Sequence, residues 1–570
     1  MVFVYAQRDR NARVDHSPML EDFDLNGIQD VEHARQGLVR LLNLVENLAL
    51  ENRELREENQ RQRDEINRLK GEQGKPNIKP NRPSPPSAPR NYSSERERRK
   101  PHERQKRSKV NEIKIDRDEV LGVDPTQLPP DAEFKGYEAV VVQDLRIQTD
   151  HVRFLKEKYY STEERKTYLA KLPHGYEGEF GPGVKAMVIV LYFAVTTSEP
   201  KILEFFAHVG VSISEGELSN LLIKDQDGFH AEKDAVYEAG LRSSPWQHSD
   251  DTKTRVNGVN EHCHTVCNPL YTVYLTLAKK DRLAVLDVFT NLRPRAFRLN
   301  AEAYASLGQV NLPTYLLMAL QPLPQDQVWN EAEFTALLDQ YVPDAGAQQH
   351  RHILEAAAVA AYHAQQEFPV IDLLICDDAG QFKRLTAKLA LCWVHDGRHY
   401  KKLIPVVAHH QAVLDAFLDR YWAFYDELLT YKTHPTPEEA ARLSPAFDTL
   451  FSTVTSYDAL DDRIAKTRAK KDALLMALKH PEIPLHNNPA ELEARRRVRK
   501  GDVSFGPRTE DGKKAWDTFM SLAATAKKLG VSFYQYVYDR VSRAHAIPSL
   551  ADLIRQRAEQ LNLGASWNPP

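Results

Sequence analysis

The run FPVIDLLICDD at 368–378 sets the tightest constraint on what this chain can fold into. It is almost continuously apolar up to Cys376 and too short for a core helix. A strand reads this way when both of its faces are covered, as in the parallel sheet of an α/β protein. The run then stops on two acids, Asp377 and Asp378. A strand end is where side chains leave a sheet for a cleft, so these carboxylates are candidates for chemistry. LALCWV at 389–394 reads as the next strand.

A second acid pair, Asp250–Asp251, stands in HSDDTKTR at 248–255. Three short strands are expected near 246–250, 259–267 and 271–279, punctuated by VNG at 256–258 and by Asn268–Pro269. On this reading Asp250 ends the first strand. A third acid, Glu491, begins a helix in PLHNNPAELEARRRVRK at 484–500. Two neighbouring parallel strands that both end in Asp bring their carboxylates together, and a helix start beside them adds the Glu. Such a cluster repels itself unless cations neutralise it. Mg²⁺ and Mn²⁺ take oxygen ligands and keep water positions open, and a pair of such ions stabilises both oxygens of a phosphodiester displacement. Asp250, Asp377 and Glu491 are therefore the candidate metal ligands, with Asp251 and Asp378 as alternates. Each acid also has a plainer reading. Either Asp pair could open a turn, and Asn488, Pro489 and Glu491 suit N-cap, N1 and N3 of a capping box. The order strand, strand, helix favours the metal.

HCHTVC at 262–267 invites zinc instead. Strand alternation turns His262 and His264 to one side and Cys263 and Cys267 to the other, so no zinc is expected. Cys392 and His395 read as core and near-site packing. Four cysteines in 570 residues argue against a disulfide framework. The length calls for several domains. The longest apolar run, MVIVLYFAV at 187–195, is too short to cross a bilayer, and the start of the chain lacks a secretory signal, so a cytoplasmic protein with no membrane partner is expected. A net charge of −4 excludes a molecule that is basic throughout, so any nucleic-acid contact has to be local.

The N-terminal third is patterned differently. After a tail at 1–30, a coiled coil is expected over 31–72. Heptad position a holds Leu38, Val45, Asn52, Asn59 and Ile66, and position d holds Leu41, Leu48, Leu55, Gln62 and Leu69. Asn at a favours a two-stranded, in-register pairing, so a parallel homodimer through 38–69 is expected. Residues 73–115 are rich in Pro and polar residues and cannot build a core. From Lys75 to Lys114 there are 13 Lys/Arg against 4 Glu, which suits phosphate contact as well as a plain solvated linker. A small β-containing unit is expected at 116–180. In 181–240, a helix at 200–210 ends at Gly210, and a second at 212–223 opens with the capping-box pair Ser214 and Glu217. This is the helix-turn-helix layout, with Ser214, Ser219, Asn220 and Lys224 as candidate DNA contacts.

The remainder divides into a strand-bearing stretch at 241–400 with extra sequence at about 292–350, a helical stretch at 401–482, a closing stretch at 483–545, and a tail at 546–570. An amphipathic helix at 513–529 is built on Ala515, Trp516, Phe519, Leu522, Ala526 and Leu529.

HSDDT, then LLICDDAGQF with LCWVHDGRHY, then PLHNNPAELEARRR together resemble the DDE transposases of bacterial insertion sequences, in particular the insertion sequence sixty-six family. The resemblance covers about 35–545. It implies an α/β, ribonuclease-H-like catalytic core with a helical insertion, a leucine zipper and a helix-turn-helix. By motif it carries the three catalytic acids onto Asp250, Asp377 and Glu491. It implies metal-dependent cleavage and strand transfer of double-stranded DNA with Mg²⁺ or Mn²⁺, two ions, and a nucleoid-associated bacterial protein. Candidate DNA contacts on this basis are Arg495, Arg496, Arg497, Arg499, Arg508 and Lys513. Lys500 and Lys514 lie in the same basic stretches. The small cysteine zinc motif common in the family is missing, since 115–180 contains no Cys. Competing readings are a DNA-binding relic that no longer cuts and a metal nuclease without strand transfer.

Overall fold

The computed structural model describes residues 30–69, residues 114–561 apart from 125, 127, 130, 131 and 146, and residue 563. Nearly all of the expected N-terminal tail and basic linker lie outside the described residues. α1 (Val31–Leu69) is one unbroken helix. Its heptad residues Leu38, Val45, Leu48, Leu55 and Ile66 are all exposed. A different stripe is covered. Asn43 and Glu46 are buried, and Glu46 accepts from the N–H groups of Val406 at 2.7 Å and Val407 at 3.0 Å. Asn43 bonds the Ser456 carbonyl at 3.1 Å and the Asp458 N–H at 3.2 Å. One face of α1 thus docks on the later helical insertion, and the heptad seam stays open.

The β unit expected at 116–180 is smaller than its alternation suggests. Among the described residues there, β1 (Lys158–Ser161) and β2 (Lys166–Leu169) alone pair, as an antiparallel hairpin. The alternating apolar side chains of Val140, Val142, Leu145 and Ile147 are exposed, since no second strand lies beside them among the described residues. α2 (Pro182–Ile189) runs into a π turn at 190–194, and α3 (Glu199–His208), α4 (Glu215–Ile223) and α5 (Asp227–Arg242) follow. α3 and α4 meet across the turn at Gly210, burying Ile202, Phe206, Leu218 and Leu222. Ser214 caps α4 by accepting from Glu217 N–H at 3.1 Å, the forward half of the expected capping box.

A mixed five-stranded sheet forms the centre. β3 (Trp246–Val256), β4 (Val259–Cys267) and β5 (Thr272–Leu277) make an antiparallel meander. After α6 (Arg282–Phe289) comes a small unit in the expected extra region. There β6 (Ala296–Arg298) pairs with β7 (Val328–Asn330), accompanied by α7 (Ala301–Gln309), α8 (Thr314–Leu320) and α9 (Glu331–Tyr341). α10 (Ala347–Ala364) leads back to β8 (Leu373–Cys376) and β9 (Lys388–Leu391). β8 joins β3 in parallel and β9 joins β8 in parallel, giving the order β5-β4-β3-β8-β9. β8 is buried along its whole length, as its unbroken apolar sequence requires.

β3 does not end at Asp250, as the sequence suggests; it continues to Val256. Its antiparallel partner β4 accompanies it as far as Val256↔Val259, whereas its parallel partner β8 stops at His248↔Ile375. Asp250 therefore lies just past the point where one neighbour falls away.

The edge strand β5 is closed by a helix. α11 (Trp393–Tyr400) and the insertion helices α12 (Ala408–Thr433), α13 (Pro437–Leu450), α14 (Asp458–Arg468) and α15 (Lys471–Leu474) precede α16 (Asn488–Ser504) and α17 (Glu510–Leu529). On α17, Thr525, Ser521 and Asp517 accept from the β5 N–H groups of Thr272 (3.2 Å), Tyr274 (2.9 Å) and Thr276 (2.7 Å). Four residues of helix rise about 6 Å and two of strand about 6.8 Å, so the two ladders keep step. Polar groups that would otherwise invite another strand are satisfied within the chain. The described part of the expected C-terminal tail is also structured. α18 (Phe533–Val541) and α19 (Leu550–Leu561) follow α17, and α19 packs on α5 with Leu550 and Ile554 fully buried.

Candidate active site

The carboxyl end of the parallel pair β3/β8 gathers the acids. Continuing the β3–β8 register two positions past its last pair sets Asp250 level with Asp377, which follows β8 directly. Glu491 lies in the first turn of α16. Burial, then the negative charge of Asp377, and to a smaller extent Glu491 and Asp251, push the Asp250 carboxyl up to about 7. Burial also raises Asp377, against the pull of the Ala379 N–H at 3.1 Å and the nearby His395. Each of these two acids is partly buried without a salt-bridge partner among the described residues.

Their neighbours are committed elsewhere. The pleat turns Asp251 away from Asp250, where it accepts from Gln381 Nε2 at 2.7 Å and lies 3.7 Å from Lys280 Nζ. The adjacent acids on β3 therefore do not share a face. Burial opposes charge on Asp378, but Lys470 at 2.6 Å and Lys383 at 2.9 Å outweigh it and hold its pKa down. Of the second pair, Asp377 is the one left without a cation. Glu491 is gripped by Arg398 of α11, through Nη2 at 2.9 Å and Nη1 at 3.3 Å.

Asn487 sets the approach of α16. It is buried, donates from Nδ2 to the Ser249 carbonyl at 2.8 Å, and meets His248 Nδ1 through Oδ1 at 2.9 Å. Burial keeps His248 neutral, with its pKa down at about 3. Asn487 thus fastens the start of the Glu491 helix to the backbone beside Asp250. The helix begins one residue earlier than the sequence suggests, with Asn487 and not Asn488 at the N-cap, and the Asn487 side chain bonds the sheet and does not cap the helix.

Of the candidate DNA contacts, Arg495, Arg499, Arg508 and Lys224 are exposed, and so is Ser214, whose hydroxyl caps α4. Ser219 and Asn220 are half-buried. Arg496 pairs with Glu493 at 2.9 Å, and Lys513 pairs with Glu510 at 2.7 Å and Glu261 at 3.2 Å. Arg497 is a correction. It is 1% exposed, 3.2 Å from Asp517 and stacked over the Trp516 ring, so it is a core counter-ion with no path to a phosphate. Lys500 is fully buried over the Tyr192 ring at 3.3 Å. In the HCHTVC segment Asp251 pairs across with His264 and Thr252 with Cys263, so the His and Cys side chains take opposite faces. Asn487, Arg398 and Lys470 are the site residues that sequence reasoning missed. Only the doubled Asn487–Asn488 gave a signal, and it read as a cap.

As the side chains lie, no three His, Cys, Asp or Glu among the described residues are close enough to hold a metal ion. The donor chemistry nonetheless fits a hard divalent cation: Asp250 and Asp377 are carboxylates that repel each other, and neither forms a salt bridge among the described residues. Glu491 would join them by leaving Arg398.

The fold and site define a mixed α/β protein with acids collected at the carboxyl edge of a mixed sheet. A family model described as the transposase IS66 family matches residues 348–515, a span that includes Asp377 and Glu491. Uncharacterized protein y4jO of Sinorhizobium fredii is 32% identical over 324 residues, covering 57% of this chain and all of that protein. Over residues 348–515 the chain is thus similar to the transposase IS66 family, and the relative, itself uncharacterized, adds no activity to that match. Among the described residues no helix is long and apolar enough to cross a membrane.

Proposed function

We propose that the chain cuts insertion-sequence ends in double-stranded DNA and joins them to target DNA, with Asp250, Asp377 and Glu491 as the catalytic acids of a ribonuclease-H-like core. The observation that carries this reading is the Asp250 carboxyl, raised to about 7 by burial and by the charges of Asp377, directly after the parallel neighbour β8, and Glu491, in the first turn of α16. The strand order, a three-stranded meander extended by two parallel strands, supports the fold assignment. Mg²⁺ or Mn²⁺, when bound, would lower the pKa of water and offset charge on the phosphate. Asp250 and Asp377 would hold the ions, Asp250 after losing its proton. Glu491 would complete the ligand set, and Asn487 would keep it in reach. Water would break the phosphodiester at the element end, and the freed 3′-hydroxyl would attack a target phosphodiester, with no bond from protein to DNA. Exposed Arg495, Arg499 and Arg508, together with α4 and the basic linker, would grip the backbone. Two copies paired through the heptad seam of α1 would hold two ends.

A second reading, DNA binding without cutting, is favoured by the grip of Arg398 on Glu491. End-cleavage and joining assays with Mg²⁺ on wild type and on Asp250→Ala, Asp377→Ala and Glu491→Ala decide. Cleavage lost in all three variants with binding retained supports the proposal. Wild type that binds ends and never cuts supports the second reading.

A further inference from the structure

We propose that Phe505 is a stacking contact for an unpaired DNA base, an inference that rests on the DNA-processing reading above. α16 ends at Ser504, and Phe505 follows in the left-handed region with φ 58° and ψ 11°. Glycine or asparagine adopts this cap readily, whereas a bulky residue there is an outlier. The ring nevertheless stands 86% exposed, with no aromatic or cation partner among the described residues.

The turn that presents it is clamped on both sides. Phe505 N–H donates to the Gly501 carbonyl at 2.8 Å, and Asn257 N–H donates to the Pro507 carbonyl at 2.8 Å. Gly506 has φ 86°, and a Cβ there would lie 2.2 Å from the Arg255 carbonyl oxygen. The turn is therefore held between the helix that carries Glu491 and the hairpin that carries Asp250. An exposed aromatic side chain on a strained, backbone-clamped turn is a feature that folding alone does not call for.

Its surroundings name the ligand. Lys253, Arg255, Arg499 and Arg508 are exposed on the segments that meet at this turn. Aromatic rings among cations are the platform on which bases of single-stranded nucleic acid stack. Phe505 lies fourteen residues beyond Glu491, a distance of about 21 Å along the helix. That is roughly six nucleotides of B-form strand. The ring would meet a base exposed by fraying or bending some six nucleotides from the cut.

The test uses the full chain, a mixed-sequence single strand of about 20 nucleotides carrying 2-aminopurine, and its blunt duplex. Phe505→Ala should weaken single-strand binding roughly five- to hundredfold and abolish the stacking change in 2-aminopurine fluorescence. Phe505→Trp should retain both. Duplex affinity and melting temperature should hold in all three proteins, because the ring supports no core. Equal single-strand binding by wild type and Phe505→Ala would overturn the inference and leave the catalytic acids untouched. A change in sedimentation mass with unchanged DNA binding would mark the ring as a protein contact and also overturn it. Wild type that binds neither probe would sink this inference and the DNA-processing reading together.

Discussion

Lys470 Nζ lies 2.6 Å from Asp378 Oδ2, which ties the helical insertion to the loop that carries Asp377. The same amine is 3.2 Å from Asp396, a buried acid that also holds Arg463 and Thr467. The insertion thus reaches back to fix the acid next to the proposed ligand. Lys470→Met leaves Asp378 with Lys383 alone and removes one of the cations on Asp396. The expected loss is roughly 2 kcal/mol or more of stability, with a fall in DNA cleavage. Lys470→Arg should restore most of both. Thermal melting and an end-cleavage assay read the two effects. Full cleavage by Lys470→Met would show that the insertion does not position the loop.

Asn487→Ala removes both bonds that hold α16 to β3. It leaves the buried Ser249 carbonyl and His248 Nδ1 short of partners, at about 1–3 kcal/mol for a buried unsatisfied group. Cleavage should fall further than stability explains, because Glu491 rides on the same helix turn. Excess Mg²⁺ should not rescue it. Denaturant unfolding beside a Mg²⁺ titration of cleavage checks this, and full rescue by Mg²⁺ counts against a positioning role.

What could be read in the sequence follows from what burial does to residue choice. β8 was legible because a strand covered on both faces admits only apolar residues, and its end was marked by Asp377 and Asp378. The end of β3 was not, because β4 carries it on to Val256 where β8 does not follow. On α17 the apolar stripe was plain, but nothing in the pattern marked Asp517, Ser521 and Thr525, which close the β5 edge. Arg497 was lost in a basic run for the same reason. A cation that neutralises a buried acid looks identical in sequence to one that faces a phosphate. α1 shows the limit in another form. Its heptads were visible, whereas its docking through Asn43 and Glu46 depends on groups more than 350 residues away.

Lys500 gives the chain a pH-dependent stability. Burial, against the attraction of Glu199, lowers its pKa from 10.5 to about 7. In the interval between, the unfolded chain binds the proton and the folded one does not. Stability therefore climbs as pH rises from about 7 toward 10.5, and the full penalty stands below 7. Lys500→Met should flatten that climb, and the difference between the two proteins should amount to a few kcal/mol at neutral pH. Urea unfolding of both at pH 7 and 9.5 measures it. Parallel slopes would mean that Lys500 keeps its charge in the folded state.

The exposed seam of α1 predicts an oligomer. Leu48 and Leu55 are 54% and 56% exposed, on a face that the Asn43–Glu46 docking leaves free. Leu48→Lys with Leu55→Lys places charge in the middle of a proposed two-stranded contact. Light scattering should give a dimer for wild type and a monomer for the double variant, with helix content little changed. A wild type that is monomeric at micromolar concentration, or a variant that stays dimeric, refutes pairing through 38–69.

Arg398 and a divalent cation compete for one carboxylate on the proposed reading. With Arg398 in place, Glu491 is paired at 2.9 Å and its negative charge is partly offset beside Asp250. On that reading Arg398→Met leaves Glu491 without its guanidinium partner near Asp250. Without metal the variant should be less stable, by about 1 kcal/mol or less because the pair is partly exposed. With Mg²⁺ it should gain more than wild type does, since the ion no longer displaces a partner, and its half-saturating Mg²⁺ concentration should fall. Melting curves across a Mg²⁺ series, run beside Glu491→Gln as the control without the third charge, separate the cases. An equal Mg²⁺ response in wild type and Arg398→Met would mean that Glu491 does not take part in binding the ion.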